Sequence, residues 1–405
     1  MKPGMLTFDE ALARLLAGAR SVTQIETIAT LEATGRVLAQ TQVSSINVPP
    51  HDNSAMDGYA VCSGEVKAAG TCLPVSQRIP AGATGQPLQR GTAARIFTGA
   101  PLPAGADAVV MQEQCVQQGE SVVINHVPQA GEWVRYTGSD IRSGAQIIQT
   151  GTRLRPQEAG LAASIGLATL PLFRRLRVAV FFTGDELVMP GEPLPVGAIY
   201  NSNRFTLRGL LELLGCEISD FGIVPDKFDA TRAVLRDAAQ EHDLIVTSGG
   251  VSVGEEDHVK PAVEAEGEIN LWQIAIKPGK PLAFGRVRNA AEGTAFIGLP
   301  GNPVSSFVTF LLLVRPFILR SQGMLNVTPR AQMLRADFAW PKPDARQEFL
   351  RARLNDQGGL ELFPNQSSAV LTSLAWADGL IDNPPRQAIR RGDSVRFLPF
   401  SELLY

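Results

Sequence analysis

Residues 247–258 read TSGGVSVGEEDH, a stretch in which glycines and small hydroxyl residues run directly into Glu255, Glu256 and Asp257. Glycine lets a backbone approach a ligand closely, and its free N–H groups hold anionic oxygens. Three carboxylates would repel the same anion. A divalent cation reconciles the two features, because Mg2+ bridging carboxylates and phosphate oxygens lets amides and acids serve one phosphorylated ligand. The stretch has neither the GK[ST] of a P-loop nor the spacing of GxGxxG, so the ordinary nucleotide fingerprints do not apply. Taken alone, it fits equally well a strand-to-helix turn that needs glycine for positive φ.

More acids and two lysines stand at comparable places. Asp185 and Glu186 follow the apolar run RVAVFF, Asp226 follows ISDFGIV, and Asp257 follows DLIVTS and its glycines. Ligands of open α/β sheets bind outside the carboxyl ends of the strands, where these acids fall. A single acid there is commonly a helix N-cap, a role that fits Asp226; three together call for a cation. The stretch AIKPGKPLAFG carries Lys277 and Lys280 around a Pro-Gly turn. GLPGNPVSS then sets Ser305 and Ser306 at the start of a helix. Lysines and a helix N-terminus together suit an oxyanion.

The elements that must position these groups are legible as patterns. Thr7 and Glu10 form a capping box ahead of Phe8, Leu12, Leu15 and Leu16 on one helical face. From about residue 45 to 137 short β-rich runs such as AARIF, DAVVM and SVVINHV are split by Gly and Pro, which predicts a β-rich insert. A helical stretch, PQEAGLAASIG, follows. Strands and helices then alternate from RLRVAVFF onward, with near-continuous apolar strands, which predicts a parallel sheet covered on both faces. Past about residue 325, EFLRARL, LELFP and SVRFLPF predict a small β-barrel. The expected architecture is therefore α/β plus β and multidomain. It comprises a helical linking unit (1–44 and 138–174), a β-rich insert (45–137), a three-layer αβα unit with a parallel sheet (175–325) and a C-terminal β-barrel (326–405).

Bulk properties exclude several classes. A chain of 405 residues with 44% hydrophobic residues builds real cores, and a net charge of −3 offers no footprint for nucleic acid or an anionic membrane. The start, MKPGMLTFDEALARLL, lacks the order of a signal peptide, and FVTFLLLVRPFIL, interrupted by Arg315 and Pro316, reads as a buried helix rather than a membrane span. Four scattered cysteines and four separated histidines argue against a disulfide framework or a zinc site. A cytoplasmic protein is expected.

PPHDNSAMDGYA, RIFTGAPLPAGADAVVMQE, TGDEL, TSGGVSVG, KPGKP and GLPGNPVS, in this order along nearly the whole chain, resemble the molybdopterin molybdenumtransferase family, relatives of the E domain of gephyrin. The resemblance implies four domains, an elongated homodimer with its site between the α/β unit of one subunit and the β insert of the other, and a reaction. In that reaction adenylylated molybdopterin and molybdate give molybdenum cofactor and AMP with Mg2+ or a similar cation. It implies catalytic roles for Asp57, Thr98, Glu186, Asp226, Asp257, Lys277 and Lys280, with Glu186 and Asp257 on the metal. It implies substrate contacts at Gly250, Ser252, Asp140, Ser305, Arg351 and Ser368. The adenylyltransferase of the preceding step is an implied partner. Phe182 departs from the family pattern, which often has Ser before TGDEL, and so removes one hydroxyl from the nucleotide side.

Two other readings compete. A molybdopterin adenylyltransferase shares the α/β unit and a GGVS-type loop but not the DNSAMDG insert or the C-terminal unit. A non-catalytic scaffold of the same fold would not need Asp57, Glu186, Asp226 and Asp257 together.

Overall fold

The computed structural model of the chain describes residues 5–250 and 258–404, so Ser252, Glu255, Glu256 and Asp257 lie outside the described residues. The capping box forms: Thr7 Oγ1 accepts from the Glu10 N–H, and the Glu10 carboxylate accepts from the Thr7 N–H. It opens helix α1 (Phe8–Gly18), whose Ala11 and Leu15 are fully buried. Beyond α1, Ile25–Ala29 pairs antiparallel with Thr169–Phe173, and Gln42–Val43 pairs with Gln146–Ile148. These two ladders close the base from which the β insert emerges. The insert is built on a six-stranded sheet from Gly58–Val61, Thr71–Ile79, Ala93–Ile96, Ala108–Met111, Cys115–Gln118 and Ser121–Ile124.

The α/β unit carries the second six-stranded sheet. Its strands are β1 (Arg177–Thr183), β2 (Glu217–Val224), β3 (Leu244–Ser248), β4 (Gly267–Gln273), β5 (Pro281–Val287) and β6 (Thr294–Leu299), in the order β2-β1-β3-β6-β5-β4. Both faces are covered, and so the central strands β1, β3 and β6 are buried along nearly their whole length, whereas the edge strands β2 and β4 carry Glu217, Asp220, Glu268 and Asn270. Val178, Val180, Phe182, Val246 and Ile297 pack with α1, with α2 (Ser202–Leu213) and with the helix that follows β6. Ala179, Phe181, Ile245 and Phe296 pack on the other side with α3 (Phe228–Glu241) and α4 (Val259–Glu266). Burying one such phenylalanine contributes about 1.5–3 kcal/mol.

The sheet is mixed, which corrects the expectation of an all-parallel one. β2, β1, β3 and β6 run parallel, but β5 is antiparallel to both β6 and β4. Connection length decides this. Only residues 274–280 separate β4 from β5 and only 288–293 separate β5 from β6, whereas a parallel crossover takes a dozen residues or more.

The apolar stretch after β6 forms one helix, α5 (Pro303–Ser321), and 89% of its most apolar window is buried inside the protein. Arg315 and Pro316 do not break it, contrary to expectation. A π-helical turn over Phe310–Val314 precedes Pro316. Proline lacks an N–H and its ring collides with the carbonyl four residues back, and a wider turn removes that collision. The first-turn residues Ser305 and Ser306 stand at the N-terminus of α5 as expected.

The C-terminal unit is a curled sheet in the order Ile276–Lys277, Gln347–Leu354, Gly379–Asn383, Ser394–Pro399, Gln332–Arg335, with Leu360–Leu362 also paired to Gln347–Leu354. Between its two ends a single bridge, Ala336 to Leu360, is made, so the continuous ladder of a closed barrel is not formed among the described residues. Its first strand comes from the α/β unit: Ile276 and Lys277 pair in parallel with Gln347 and Glu348.

Candidate functional site

A cleft of about 1010 Å3 lies at the carboxyl ends of β1, β3 and β6, where an open α/β sheet receives ligands. Thr183 ends β1 and Ser248 ends β3, and both line it, followed by Gly249 and Gly250. Gly249 has φ +95°, and a Cβ there would sit 2.9 Å from the Thr183 carbonyl oxygen. Only glycine makes this turn without displacing the neighbouring strand. Facing it are Pro300 to Pro303 and Ser305 at the start of α5, then Gln366 to Ala369 from the C-terminal unit.

Asn203, in the first turn of α2, ties these walls together. Its Nδ2 donates to Ser248 Oγ (2.8 Å) and to the Gly301 carbonyl (2.8 Å), while Ser248 Oγ donates to the Pro300 carbonyl (3.1 Å). The loops after β3 and β6 are thus held by one amide. The cleft also has an apolar flank in Leu187, Ile199 and Tyr200, and the Tyr200 hydroxyl donates to the Glu192 carbonyl.

The electrostatics favour an anion. Lys277, Lys280 and Arg346 line the cleft, and Glu186 is its one carboxylate among the described residues. Lys280 has no ion-pair partner among the described residues, whereas Lys277 Nζ lies 3.4 Å from both Glu348 Oε1 and Asp344 Oδ2. Between the lysines, Gly279 has φ +103°, and a Cβ there would come within 2.2 Å of Thr309 Oγ1 in α5. The expected turn therefore exists and is pressed against the helix. Ser305 is 5% exposed and lines the cleft, and the buried Ser306 hydroxyl has no hydrogen-bond partner. The Val304 N–H donates to the Ser368 carbonyl and the Ser306 N–H to the Asn302 carbonyl, so the Ser305 hydroxyl and N–H are the first-turn donors of α5 suited to an oxyanion.

The other expected site residues divide. Glu186, Gly250, Lys277, Lys280, Ser305 and Ser368 come together in the cleft. Asp226 does not line it and is not an N-cap, since Lys227 occupies that position; β2 stands at the edge of the sheet, one strand beyond β1. One Asp226 carboxylate oxygen is buried with no partner. Asp140 lies exposed in the segment after the insert. Arg351 is 1% exposed and stands outside the cleft. Its guanidinium donates to Ser373 Oγ and to the carbonyls of Phe349 and Ser367, and burial pushes its pKa down to about 10. Gln366 accepts from the Arg351 N–H and donates to its carbonyl. Arg351 thus supports the 366–368 loop from behind, and of the two expected contacts from the C-terminal unit Ser368 reaches the cleft, with Gln366, Ser367 and Ala369 beside it. Phe182 is fully buried in the core, so a side chain at that position points away from the cleft.

Asp57 and Thr98 meet each other on the β insert. Asp57 Oδ1 accepts from the Thr98 N–H (2.8 Å) and its hydroxyl (2.9 Å). The Thr98 amide, and then its hydroxyl, hold the Asp57 carboxyl below its ordinary value. Neither residue, nor any other of 45–137, lines the large cleft. No group of three or more His, Cys, Asp or Glu able to hold a metal is found among the described residues.

Sequence reasoning missed Asn203 and Arg346. Asn203 sits in the polar run NSN at a strand-to-helix junction, a signal that was present. Arg346 lies in PKPDARQEF, where charge and proline obscure the strand that follows.

Comparison with known proteins matches three consecutive regions. Residues 6–166 match the MoeA N-terminal region (domain I and II), 179–320 a probable molybdopterin binding domain, and 333–400 the MoeA C-terminal region (domain IV). The molybdopterin molybdenumtransferase of Haemophilus influenzae is 39% identical, with 99% of this chain and 100% of the relative covered. Molybdopterin molybdenumtransferase 2 of Mycobacterium tuberculosis is 37% identical over 88% of this chain and 90% of its own length. A crystal structure of the molybdopterin biosynthesis moeA protein from Pyrococcus horikoshii OT3 superimposes with TM-score 0.84 at 27% identity, covering 98% of this chain and 100% of that one. End-to-end likeness on this scale, with a cleft built for an oxyanion, places the chain in the molybdopterin molybdenumtransferase family.

Proposed function

We propose that the chain inserts molybdenum from molybdate into adenylylated molybdopterin, releasing AMP. The observation that carries this is the cleft itself: three cations, a helix N-terminus and a glycine loop converge where only one described carboxylate stands. Molybdate is a tetrahedral dianion, and Lys280 with the Ser305 hydroxyl and N–H offers charge-assisted and neutral donors for its oxygens. The glycine loop after β3 supplies backbone approach for the nucleotide phosphates.

A divalent cation fits the residues only as one shared with the substrate. Mg2+ is commonly held by one or two carboxylates together with phosphates, and Glu186 at the cleft with Asp257 after β3 supplies that number. Such a cation neutralises the charge that develops on the phosphates as AMP leaves. In that step a molybdate oxygen attacks the phosphorus on the molybdopterin side, the phosphoanhydride P–O bond breaks and AMP departs with the electron pair; the two dithiolene thiols then form Mo–S bonds as the Mo–O–P link breaks at molybdenum to leave the phosphate, and their two protons leave with a second molybdate oxygen as water. The chain binds the oxyanion, orients the two phosphates and excludes water; no side chain becomes covalently attached.

The chain acts as a homodimer in this reading, with the adenylyltransferase of the preceding step as supplier of its substrate. Asp57 and Thr98 stand on the insert, away from the cleft of their own chain, and this supports a site completed by a partner subunit.

The test is AMP release from adenylylated molybdopterin. It should require both molybdate and a divalent cation and stop on chelation. Release independent of molybdate, or formation of adenylylated molybdopterin from ATP in its place, would overturn the reading. Mixing Asp57→Ala with Asp257→Ala chains should restore part of the activity if sites are shared. No recovery after confirmed subunit exchange would place both residues in one subunit's site.

A further inference from the structure

The β insert carries a pair of cations outside the large cleft. Arg78 and Arg95 are register partners on the parallel strands Thr71–Ile79 and Ala93–Ile96. Both lay the guanidinium over one aromatic ring, its carbon 4.6 Å from the centre of Phe97 for Arg78 and 4.5 Å for Arg95. Like charges set opposite each other across a ladder repel, and neither arginine forms an ion pair among the described residues.

The two arginines are not equivalent. Arg95 is tied down: Nη1 donates to the Gly58 carbonyl (2.8 Å), Nη2 donates to Gln112 Oε1 (2.6 Å), and the guanidinium also covers the ring of the buried Tyr59. Arg78 is exposed, and the Phe97 ring is the one partner of its guanidinium among the described residues. A ring takes a face of the guanidinium and none of its N–H groups, which lie in the plane. The donors of Arg78 are therefore held flat and left unspent.

Their place on the insert matters. Phe97 is followed by Thr98, which donates twice to Asp57 Oδ1, and the Gln112 N–H donates to the Asp57 carbonyl (3.0 Å). Arg95, through Gly58 and Gln112, grips the backbone on both sides of Asp57. The same ring thus anchors the residue that braces Asp57 and the cation that stands free beside it.

We propose that Arg78 is a further binding residue of the reaction, whose in-plane donors meet the phosphate oxygens of adenylylated molybdopterin, and that Phe97 is the positioning residue that keeps the fork flat. This rests on the shared-site reading above, in which the insert completes the cleft of the partner subunit. Molybdate offers the same tetrahedral oxygen chemistry, but in that reading Lys280 and Ser305 of the cleft meet it, so the phosphates are the oxyanions left to the insert.

Equilibrium dialysis of the full chain against adenylylated molybdopterin without molybdate, and against molybdate alone, compares wild type with Arg78→Gln, Arg78→Lys and Phe97→Leu. Arg78→Gln should raise the dissociation constant of the adenylylated substrate by about 10-fold or more and leave that of molybdate unchanged. Arg78→Lys keeps the charge but not the flat fork, so it should recover only part of the loss. Phe97→Leu should fall between wild type and Arg78→Gln, because the donors remain but are no longer held. An unchanged constant for the adenylylated substrate in Arg78→Gln, or a loss confined to molybdate, would overturn the inference. So would losses that follow Tm across the three variants, since a merely structural stack moves stability and not ligand selectivity. In mixed dimers at limiting substrate, Arg78→Glu chains should regain turnover with Asp257→Ala chains and not with Asp57→Ala chains; the opposite pattern would take Arg78 away from the Asp57 side of the site. The functional reading fails separately, if wild type binds the adenylylated substrate in this Arg78-dependent way but releases no AMP on adding molybdate.

Discussion

Replacing Asn203 by alanine should loosen the site without unfolding the chain. The amide donates two bonds, to Ser248 Oγ and to the Gly301 carbonyl, and each is 2.8 Å long. A net hydrogen bond contributes about 0.5–1.5 kcal/mol, so the pair contributes about 1–3 kcal/mol. Asn203 is half-buried and Ser248 Oγ keeps its own bond to the Pro300 carbonyl, so the lower half of that range is expected. Turnover should fall further than stability does. The loops after β3 and β6 are both walls of the cleft, and a displacement near 1 Å costs up to roughly 100-fold in rate. Asn203→Asp is the sharper variant. The Ser248 hydroxyl can turn to donate to the new carboxylate, but the Gly301 carbonyl cannot, so two acceptors face each other. The order in thermal stability and in molybdate-dependent AMP release should therefore be wild type, alanine, aspartate. Aspartate performing as well as asparagine, or alanine matching wild type in both assays, would refute the clamp.

Lys280→Gln should raise the molybdate concentration for half-maximal turnover by roughly 10- to 100-fold, because it removes a charge-assisted contact of about 1.5–3 kcal/mol; an unchanged midpoint returns Lys280 to a solvated turn. Gly279→Ala should lower Tm, since φ +103° strains any L side chain and the new methyl meets Thr309 Oγ1; a thermal melt equal to wild type would contradict that packing. Thr98→Val removes one of two donors to Asp57, so the Asp57 carboxyl should titrate higher, back toward its ordinary 3.8, as followed by carboxyl NMR. The sign for stability follows: a depressed folded-state pKa stabilises fully above the unfolded value and is lost as pH falls through the folded one, so Thr98→Val should lower stability at neutral pH, with the gap to wild type closing as the pH falls through the folded-state value.

The sequence made most of the site readable where chemistry and strand ends coincide. Glu186, Gly250, Lys277, Lys280 and Ser305 each follow an apolar strand or open a helix, and period and position were enough to bring them to one edge. The direction of β5 was readable too, in the shortness of the connections before and after it, but the regular alternation elsewhere hid it. Pro316 misled because its cost is local: a π turn one turn earlier absorbs it, and no residue type announces such a turn. Arg351 illustrates the harder limit. Its chemistry is that of an anion contact, and only tertiary packing shows that its guanidinium is spent on Ser373 and two carbonyls.

The strand Ile276–Lys277 belongs by sequence to the α/β unit and by hydrogen bonding to the C-terminal sheet. The regions shared with relatives break at residues 320 and 333, some forty residues after that strand has already been donated. Modules as inherited and modules as cooperatively folded therefore do not coincide. A chimera that exchanges the C-terminal region at residue 325 would ask a foreign sheet to accept this chain's Ile276 and Lys277 as its edge. Its graft quality would be reported by Lys277, which shares a register pair with Glu348 across the seam. Recombination within this architecture is thus constrained to partners that match a two-residue ladder lying far upstream of the cut.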